Sequence, residues 1–234
     1  MIAADRLPLD RYDWARILEQ LDTEGWAPLP ALFSPAQAST LTRAFDDPHA
    51  VPGGAEGGAC RSLPPPLPHG LDTLQDALQA RLAPLARNWA RRLGRAAPAA
   101  TAAGPASLSR LGRDDCQPLR HAPDEAGFPF YLVALLSAPG RDFSGGEFVM
   151  TEQRPRQQSR PMVLPLARGD AALIAALHRP VRGASGDYRA TPSAGCAAVY
   201  AWGCRCRCPV RPDGPGQPAA PRSAAHPAES YIAF

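Results

Sequence analysis

The stretch FPFYLVALLSAPGRDFSGGEFVMTEQRPRQQSRPMVLPLARGDAALIAALHRPVRGASGDYR (128–189) decides the fold. Within it, the apolar runs FYLVALLSA, EFVMTE, PMVLPL and AALIAAL are separated by Gly, Pro and Asp. Short apolar runs bounded by such turn residues are typical of consecutive β-strands. The segment from Ser107 to Ala190 therefore predicts an all-β sandwich or barrel core.

Helices are predicted ahead of this core. A first amphipathic helix covers residues 10–24, with Gly25 placed to end it, and a short edge strand follows at 25–29. The pair Ser34–Pro35 predicts the cap and first turn of a second helix, which extends to about Phe45. A third, long helix carries Leu74, Leu78, Leu82, Leu85 and Trp89 on one face, with Pro84 inside it as a potential kink.

The domain boundaries follow from these patterns. Residues 1–106 are expected to form a helical support region, interrupted by a Pro- and Gly-rich loop at 47–70. Residues 107–190 form the β core, and residues 191–234, rich in Pro and Cys, are expected to be an irregular tail. The predicted fold class is α+β, with N-terminal helices packed on the β core.

Composition restricts the compartment more than the function. The formal net charge is only +3, which neither requires nor excludes nucleic acid. No stretch approaches the roughly 20 apolar residues of a membrane span, and the N-terminus lacks the pattern of a secretory signal. These features predict a cytoplasmic protein without a membrane partner, whose six Cys are free thiols.

Five short motifs in the core carry a resemblance to a known family: Pro139–Phe143, Gly145–Phe148, Thr151–Arg156, Arg168–Asp170 and His178–Val181. Their order and spacing resemble the bacterial iron(II)- and 2-oxoglutarate-dependent oxygenases. Members of that family are described as prolyl-4-hydroxylase-like, or as oxygenases for oxidative demethylation of damaged DNA. The resemblance implies that the β core is a double-stranded β-helix, or jelly roll.

The resemblance also implies cofactors and partners. It implies iron(II) and 2-oxoglutarate, with ascorbate as a further candidate, and hydroxylation or oxidative demethylation of a nucleic acid or a prolyl peptide. Iron in such enzymes is held by two His and one carboxylate, usually including a His-x-Asp pair on one strand. Residues two apart on a strand point to the same side, so both reach one ion.

The residues at the expected place of the pair are LRHAPDE (119–125), which contain no His-x-Asp. The nearest substitutes are His121 with Asp124 or with Glu125. His178 or His226 would have to supply the third ligand, although a polar His at a strand end beside the barrel mouth is the alternative for His178. Tyr131 is a candidate to hydrogen-bond 2-oxoglutarate, against the alternative of an ordinary core aromatic.

After Ala190 the resemblance is expected to stop, which favours a shifted reading frame and incomplete C-terminal strands. Missing strands would leave sheet edges exposed, and exposed edges predict self-association.

Three functions stay open: an active oxygenase, a non-catalytic remnant that keeps the fold without iron, and a nucleic-acid-binding module. The third rests on the loop with Arg154, Arg156 and Arg160, which is otherwise a solvated loop. Gly145–Gly146 predicts a turn with unusual backbone angles.

Overall fold

The structure is a computed structural model, and it describes residues 9–47, 51–53, 59–63, 67, 70–98, 106–112, 115–120, 127–155, 157–183, 186–196, 199–200 and 229–233. The helices in these ranges are α1 (Trp14–Glu24), α2 (Pro35–Ala44) and α3 (Leu71–Arg92). The strands are β1 (Trp26–Leu29), β2 (Val51–Gly53), β3 (Ala59–Leu63), β4 (Ala106–Leu111), β5 (Gln117–Arg120), β6 (Phe130–Leu135), β7 (Ser144–Gly145), β8 (Phe148–Gln153), β9 (Arg160–Leu164), β10 (Ala171–Ala175), β11 (Arg179–Gly183), β12 (Gly186–Cys196), β13 (Val199–Tyr200) and β14 (Glu229–Ala233).

Local sequence explains where the first two helices begin and end. Asp13 caps α1 by accepting a hydrogen bond from the Arg16 backbone N–H at 3.2 Å. Gly25 ends α1 with a φ of 80°, a left-handed conformation that favours glycine. Ser34 and Gln37 form a reciprocal capping box at the start of α2. The predicted helices are confirmed, and α3 continues through Pro84 to Arg92.

Two sheets face each other. The larger has the strand order β1-β10-β6-β14-β4-β3-β2, and the smaller has the order β11-β12-β8-β9 with β5 also paired to β12. From β4 onward, the main strands of the larger sheet are β4, β6, β10 and β14, and those of the smaller sheet are β5, β8, β9 and β12. Along these strands the chain changes sheet at every step except from β8 to β9. Such alternation is typical of a jelly roll.

The larger sheet separates two apolar layers. Phe130, Leu132 and Ala134 of β6 pack with the helices, whereas Val133 and Leu135 pack between the two sheets. This division follows from the strand period, because successive side chains point to opposite faces. A strand buried on both faces needs a continuous apolar run, which is what residues 130–136 provide.

The predicted C-terminal boundary is wrong. β12 continues through Ala190 to Cys196, and Glu229–Ala233 forms β14 between β4 and β6 in the larger sheet. The C-terminal strands are therefore present, and the tail from residue 191 is not irregular throughout. The reason is that β14 is fixed by partners about 100 residues away, which the Pro-rich sequence around it does not indicate.

The N-terminal boundary also needs correction. β1, β2 and β3 belong to the larger sheet, and β2 and β3 lie inside the predicted 47–70 loop. β3 shows no alternation of apolar and polar residues, and Leu63 is the one fully buried residue in it. The outermost strands of this sheet, β1 and β2, contain Pro28 and Pro52, and proline blocks further pairing at an edge. Self-association through edges stays a prediction.

A buried ion pair joins the smaller sheet to the N-terminal region. Glu152 of β8 and Arg179 of β11 are each only 1% exposed. Arg179 donates through Nε and Nη2 to the two Glu152 oxygens, and through Nη1 to the Asp22 backbone carbonyl at 2.7 Å. Arg154 donates to Glu152 as well, at 2.7 Å. The pair therefore holds β8, β11 and the end of α1 together.

A second polar network ties α3 to the same region. Arg92 bonds Asp187 of β12 through Nε at 2.7 Å and Nη2 at 3.0 Å, and reaches Asp22 of α1 at 3.1 Å. Trp89 Nε1 also donates to Asp22, at 2.5 Å. None of the helices in the described ranges is long and apolar enough to cross a membrane.

We expect Glu152→Gln to destabilise the fold strongly. The substitution leaves the buried Arg179 charge uncompensated, which costs about 3 kcal/mol, or roughly 6–12 °C in Tm. Arg141→Gln removes an exposed pair with Asp142 and is the matched control, expected to lower Tm far less, because an exposed ion pair is worth at most about 1 kcal/mol. Equal Tm values for the two variants in thermal unfolding would contradict this assignment.

We also expect stability to fall below about pH 4. Hydrogen bonds from Arg lower the pKa of Asp46, Asp142 and Asp187. A carboxyl whose pKa is lowered on folding stabilises the native state above its unfolded pKa of about 3.9, and this contribution is lost as pH falls through the folded pKa. Tm measured from pH 7 to pH 3 should fall less for Asp187→Asn than for the unchanged protein; parallel curves would refute this.

Candidate active site

One end of the space between the sheets, here called the mouth, is defined by Gly25, Trp26, Tyr131 and Glu152. A Cβ built on Gly25 would lie 3.6 Å from Glu152 Oε2, so the start of β1 approaches the end of β8. Trp26 pairs with Ile174 of β10, which in turn pairs with Tyr131 of β6. These registers place the first residues of β1 and β6 at the same end as Glu152.

Two of the predicted metal ligands, His121 and Asp124, lie outside the described residues, as do Glu125 and His226. The preceding residue, Arg120, ends β5 and pairs with Ala194 of β12. β12 is therefore the neighbouring strand at Arg120, the last residue described before residue 121. Its neighbouring residues Ser193, Ala194 and Gly195 offer no side chain that coordinates iron.

The structure places His178 on the helical side of the molecule. Its Nδ1 lies 3.0 Å from Thr191 Oγ1, and its side chain is half-buried. It borders a cavity of about 30 Å³ that also contacts Trp89 and Leu93 at the end of α3. Thr191 and Ala194 are three residues apart on β12, a distance of roughly 10 Å. A metal role for His178 stays a prediction.

Tyr131 lies on the inner face of the larger sheet. Val133 and Leu135, two and four residues further along β6, pack between the sheets, and side chains at this spacing share a face. Tyr131 is 43% exposed, so its ring is at the mouth and not in the core. The predicted hydrogen bond from Tyr131 to 2-oxoglutarate stays a prediction.

At the opposite end the sheets enclose an apolar cleft of about 360 Å³. Its walls include Leu135, Phe143, Phe148 and Leu164, and Glu147 is the one charged residue among the described lining residues. Gly145 and Gly146 at its rim have φ values of 73° and 69°, as expected for the predicted turn. This cleft suits an apolar molecule better than a dicarboxylate.

A site for iron and 2-oxoglutarate needs a cluster of metal ligands and a free cation for the carboxylate. The described residues contain no group of three or more His, Cys, Asp and Glu that could hold a metal ion. The buried Arg179 already donates to Glu152 and to the Asp22 carbonyl, so it does not offer a free fork to a carboxylate. Within these ranges the residues do not fit the two groups, and an iron site would need residues outside them.

The Arg-rich loop is partly neutralised. Arg154 pairs with the buried Glu152 at 2.7 Å, and Arg160 pairs with Glu24 at 2.8 Å, while the structure of Arg156 lies outside the described ranges. Arg160 keeps a side chain that is 50% exposed. The loop is therefore a solvated rim of the mouth, with Arg160 as its accessible cation.

Sequence reasoning missed the roles of Glu152 and Arg179. Both residues stand in the motifs Thr151–Arg156 and His178–Val181, but nothing local marks either side chain as buried. Only the packing of β8, β11 and the end of α1 brings the two together. The signal that could have identified them is the charge itself, since an acid inside the apolar run EFVMTE requires a partner.

Comparison with known proteins gives a family match for the core. Residues 99–207 match the model of a family described as an oxygenase catalysing oxidative methylation of damaged DNA. The match begins before β4 and extends beyond β12. The expectation that the family pattern stops at Ala190 is therefore wrong.

The chain is also similar to curated relatives and to solved structures. The uncharacterized protein Rv2227 of Mycobacterium tuberculosis is 37% identical over 139 residues, and the alignment covers 53% of this chain and 60% of the relative's length. A prolyl-4-hydroxylase of Pseudomonas putida has a TM-score of 0.53 at 12% identity, covering 94% of this chain and 96% of its own.

A prolyl hydroxylase of Trichoplax adhaerens, solved with a peptide fragment of the oxygen degradation domain of hypoxia inducible factor, also has a TM-score of 0.53. Its identity is 11%, and the alignment covers 94% of this chain and 86% of that one. At such identities the likeness concerns the fold. The match over residues 99–207 and this shared fold confirm the resemblance to the iron(II)- and 2-oxoglutarate-dependent oxygenase family that the core motifs predict.

Proposed function

We propose that this chain is an iron(II)- and 2-oxoglutarate-dependent oxygenase that oxidises alkylated DNA in the cytoplasm. The observation that carries the proposal is the match of residues 99–207 to a family described by its action on damaged DNA. That segment contains β4 to β12, which supply seven of the eight main strands of the two facing sheets. The match thus supports the fold of such an enzyme, whichever residues bind the metal.

The proposed metal ligands are His121 and Asp124, with His178 or His226 as the third. The support for His121 is its position in the chain, because the preceding residue pairs with Ala194 in the centre of the smaller sheet. Tyr131 is the proposed contact for 2-oxoglutarate, supported by its inward position on β6.

The choice of DNA over a prolyl peptide rests on two features. The prolyl hydroxylases share the fold at only 11–12% identity, which says little about substrate. The rim loop at the mouth, in contrast, carries three Arg and one Glu in residues 152–160. Arg154 and Arg160 are paired with Glu152 and Glu24, but Arg160 keeps a half-exposed side chain that is accessible to a phosphate backbone.

A second candidate is a non-catalytic protein that keeps the oxygenase fold without iron. The specific observation in its favour is the composition of β12 opposite the end of β5, where Ser193, Ala194 and Gly195 cannot coordinate a metal. Iron binding separates the two candidates directly. Only the first requires His121.

We expect anaerobic addition of Fe(II) and 2-oxoglutarate to produce a visible charge-transfer band. Such a band requires iron and 2-oxoglutarate to be bound to each other in the protein. His121→Ala and Asp124→Ala should each abolish it, because each removes a metal ligand and leaves two at most. The measurement is an absorbance titration of the purified protein.

Gln117→Ala is the matched control, since it changes a polar side chain of β5 outside the proposed ligand set. The control should keep the band. A protein that gives no band with excess Fe(II) and 2-oxoglutarate refutes the oxygenase proposal and supports the non-catalytic candidate. A band that persists in His121→Ala refutes the ligand assignment.

A further inference from the structure

The apolar cleft lies at the end of the two sheets that is opposite to the mouth. Phe148 begins β8 and lines the cleft, whereas Glu152 at the mouth is four residues further along the strand, a distance of roughly 13 Å. Leu135 ends β6 at the cleft, and Tyr131 lies four residues earlier, at the mouth. The cleft is therefore separate from the mouth and from the proposed contact for 2-oxoglutarate.

Both sheets and the loop between β6 and β8 contribute apolar side chains to the cleft. Leu135, Phe143 and Leu164 are buried and belong to the layer between the sheets, and Phe148 packs against that layer. Val163 at the rim is 56% exposed. A ligand with an apolar body would remove this exposed apolar surface from water, which favours its binding.

Hydrogen bonds hold the loop wall of the cleft in place. The Gly140 N–H donates to the Phe143 carbonyl, and the Asp142 N–H donates to the Ala138 carbonyl, both at 2.9 Å. The Asp142 carboxylate in turn accepts from the Ala138 N–H at 2.8 Å. The next residues form β7, which pairs with β13. Because this wall is preformed, a ligand does not have to order it on binding.

Glu147 gives the cleft a negative charge. Its side chain is exposed and forms no ion pair with any residue that the structure describes. The charges of the neighbouring loops are compensated or directed elsewhere. Arg141 donates to both oxygens of Asp142, at 2.8 and 3.1 Å, and Arg168 donates to Ser39 of α2 at 2.6 Å. The cleft therefore complements a positive charge.

The volume of the cleft sets the size of its ligand. A volume of about 360 Å³ corresponds to about a dozen water molecules at roughly 30 Å³ each, and so to roughly a dozen non-hydrogen atoms. Apolar cavities of this size with a few polar groups are typical of small-molecule sites. A ligand of this size fills the cleft without reaching the mouth.

We propose that the cleft binds a small apolar molecule that carries one cationic group, of the arylalkylamine type. The apolar body packs among Phe143, Phe148 and Leu164, and the ammonium group lies beside Glu147. The two Phe rings also favour a cation over an anion, because the face of an aromatic ring is negative. A carboxylate of the same size would place a like charge beside Glu147. This proposal is independent of the oxygenase activity.

The test is isothermal titration calorimetry of the full chain with 4-phenylbutylamine and with 4-phenylbutyrate, in EDTA and without iron or 2-oxoglutarate. The two probes share the ring and the alkyl chain and carry opposite charges. We expect the amine to bind with a Kd of about 1 mM or tighter. It should bind at least about fivefold more tightly than the acid, because a partly solvated ion pair is replaced by a like-charge contact.

Glu147→Gln should bring the two probes within about twofold of each other, and Glu147→Lys should reverse the preference. Val163→Lys places a positive charge at the rim and should weaken amine binding at least about fivefold. The matched controls are Glu19→Gln, at an exposed acid of α1, and Leu119→Ala, at a 47% exposed residue of β5 outside the described lining of the cleft. Both should bind the amine as the unchanged protein does.

Three results would overturn the proposal: no binding of the amine, equal or tighter binding of the acid by the unchanged protein, and an undiminished preference in Glu147→Gln. Sedimentation velocity tests the other occupant, a second copy of this chain. A dimer that excludes the amine and that Val163→Lys dissociates would make the cleft a self-contact and overturn the proposal as well. Circular dichroism of each variant checks its folding. Because the assay contains no iron, its result does not depend on the charge-transfer band.

Discussion

The buried pair of Glu152 and Arg179 constrains the rest of the molecule. Removing two charges from water is costly, and only near-complete hydrogen bonding offsets that cost. The pair meets this condition through both Glu152 oxygens, the Asp22 carbonyl and Arg154. β8, β11 and the end of α1 must therefore keep their relative positions. Gly25 serves the same contact, because a Cβ there would lie 3.1 Å from Arg179 Nε.

This constraint explains why the N-terminal residues are part of the same frame as the two sheets. α1 contributes the Asp22 carbonyl to Arg179 and the Asp22 carboxylate to Arg92 and Trp89. β1 follows α1 directly and supplies Trp26, which pairs with Ile174 of β10 in the larger sheet. A helical region without these bonds could shift relative to the sheets. α1 cannot shift without breaking its bonds to Arg179 and Arg92.

Much of the fold could be predicted from the sequence because it depends on local patterns. The helices have caps and apolar periods, and the strands from Phe130 to Ala175 are apolar runs between turns. β3 and β14 were missed because their pairing partners, not their own composition, make them strands. The same limit applies to the site: the inward position of Tyr131 follows from strand period, whereas the pairing of Glu152 with Arg179 requires the tertiary arrangement.

The interactions that maintain this fold are distinct from those that would bind iron. Among the described residues, His178 belongs neither to the apolar layers on the two faces of the larger sheet nor to the buried ion pair. The family match over residues 99–207 supports the fold, whereas the proposed ligands His121 and Asp124 lie outside the described residues. Activity therefore depends on the metal ligands, and the fold indicates only where those ligands would lie.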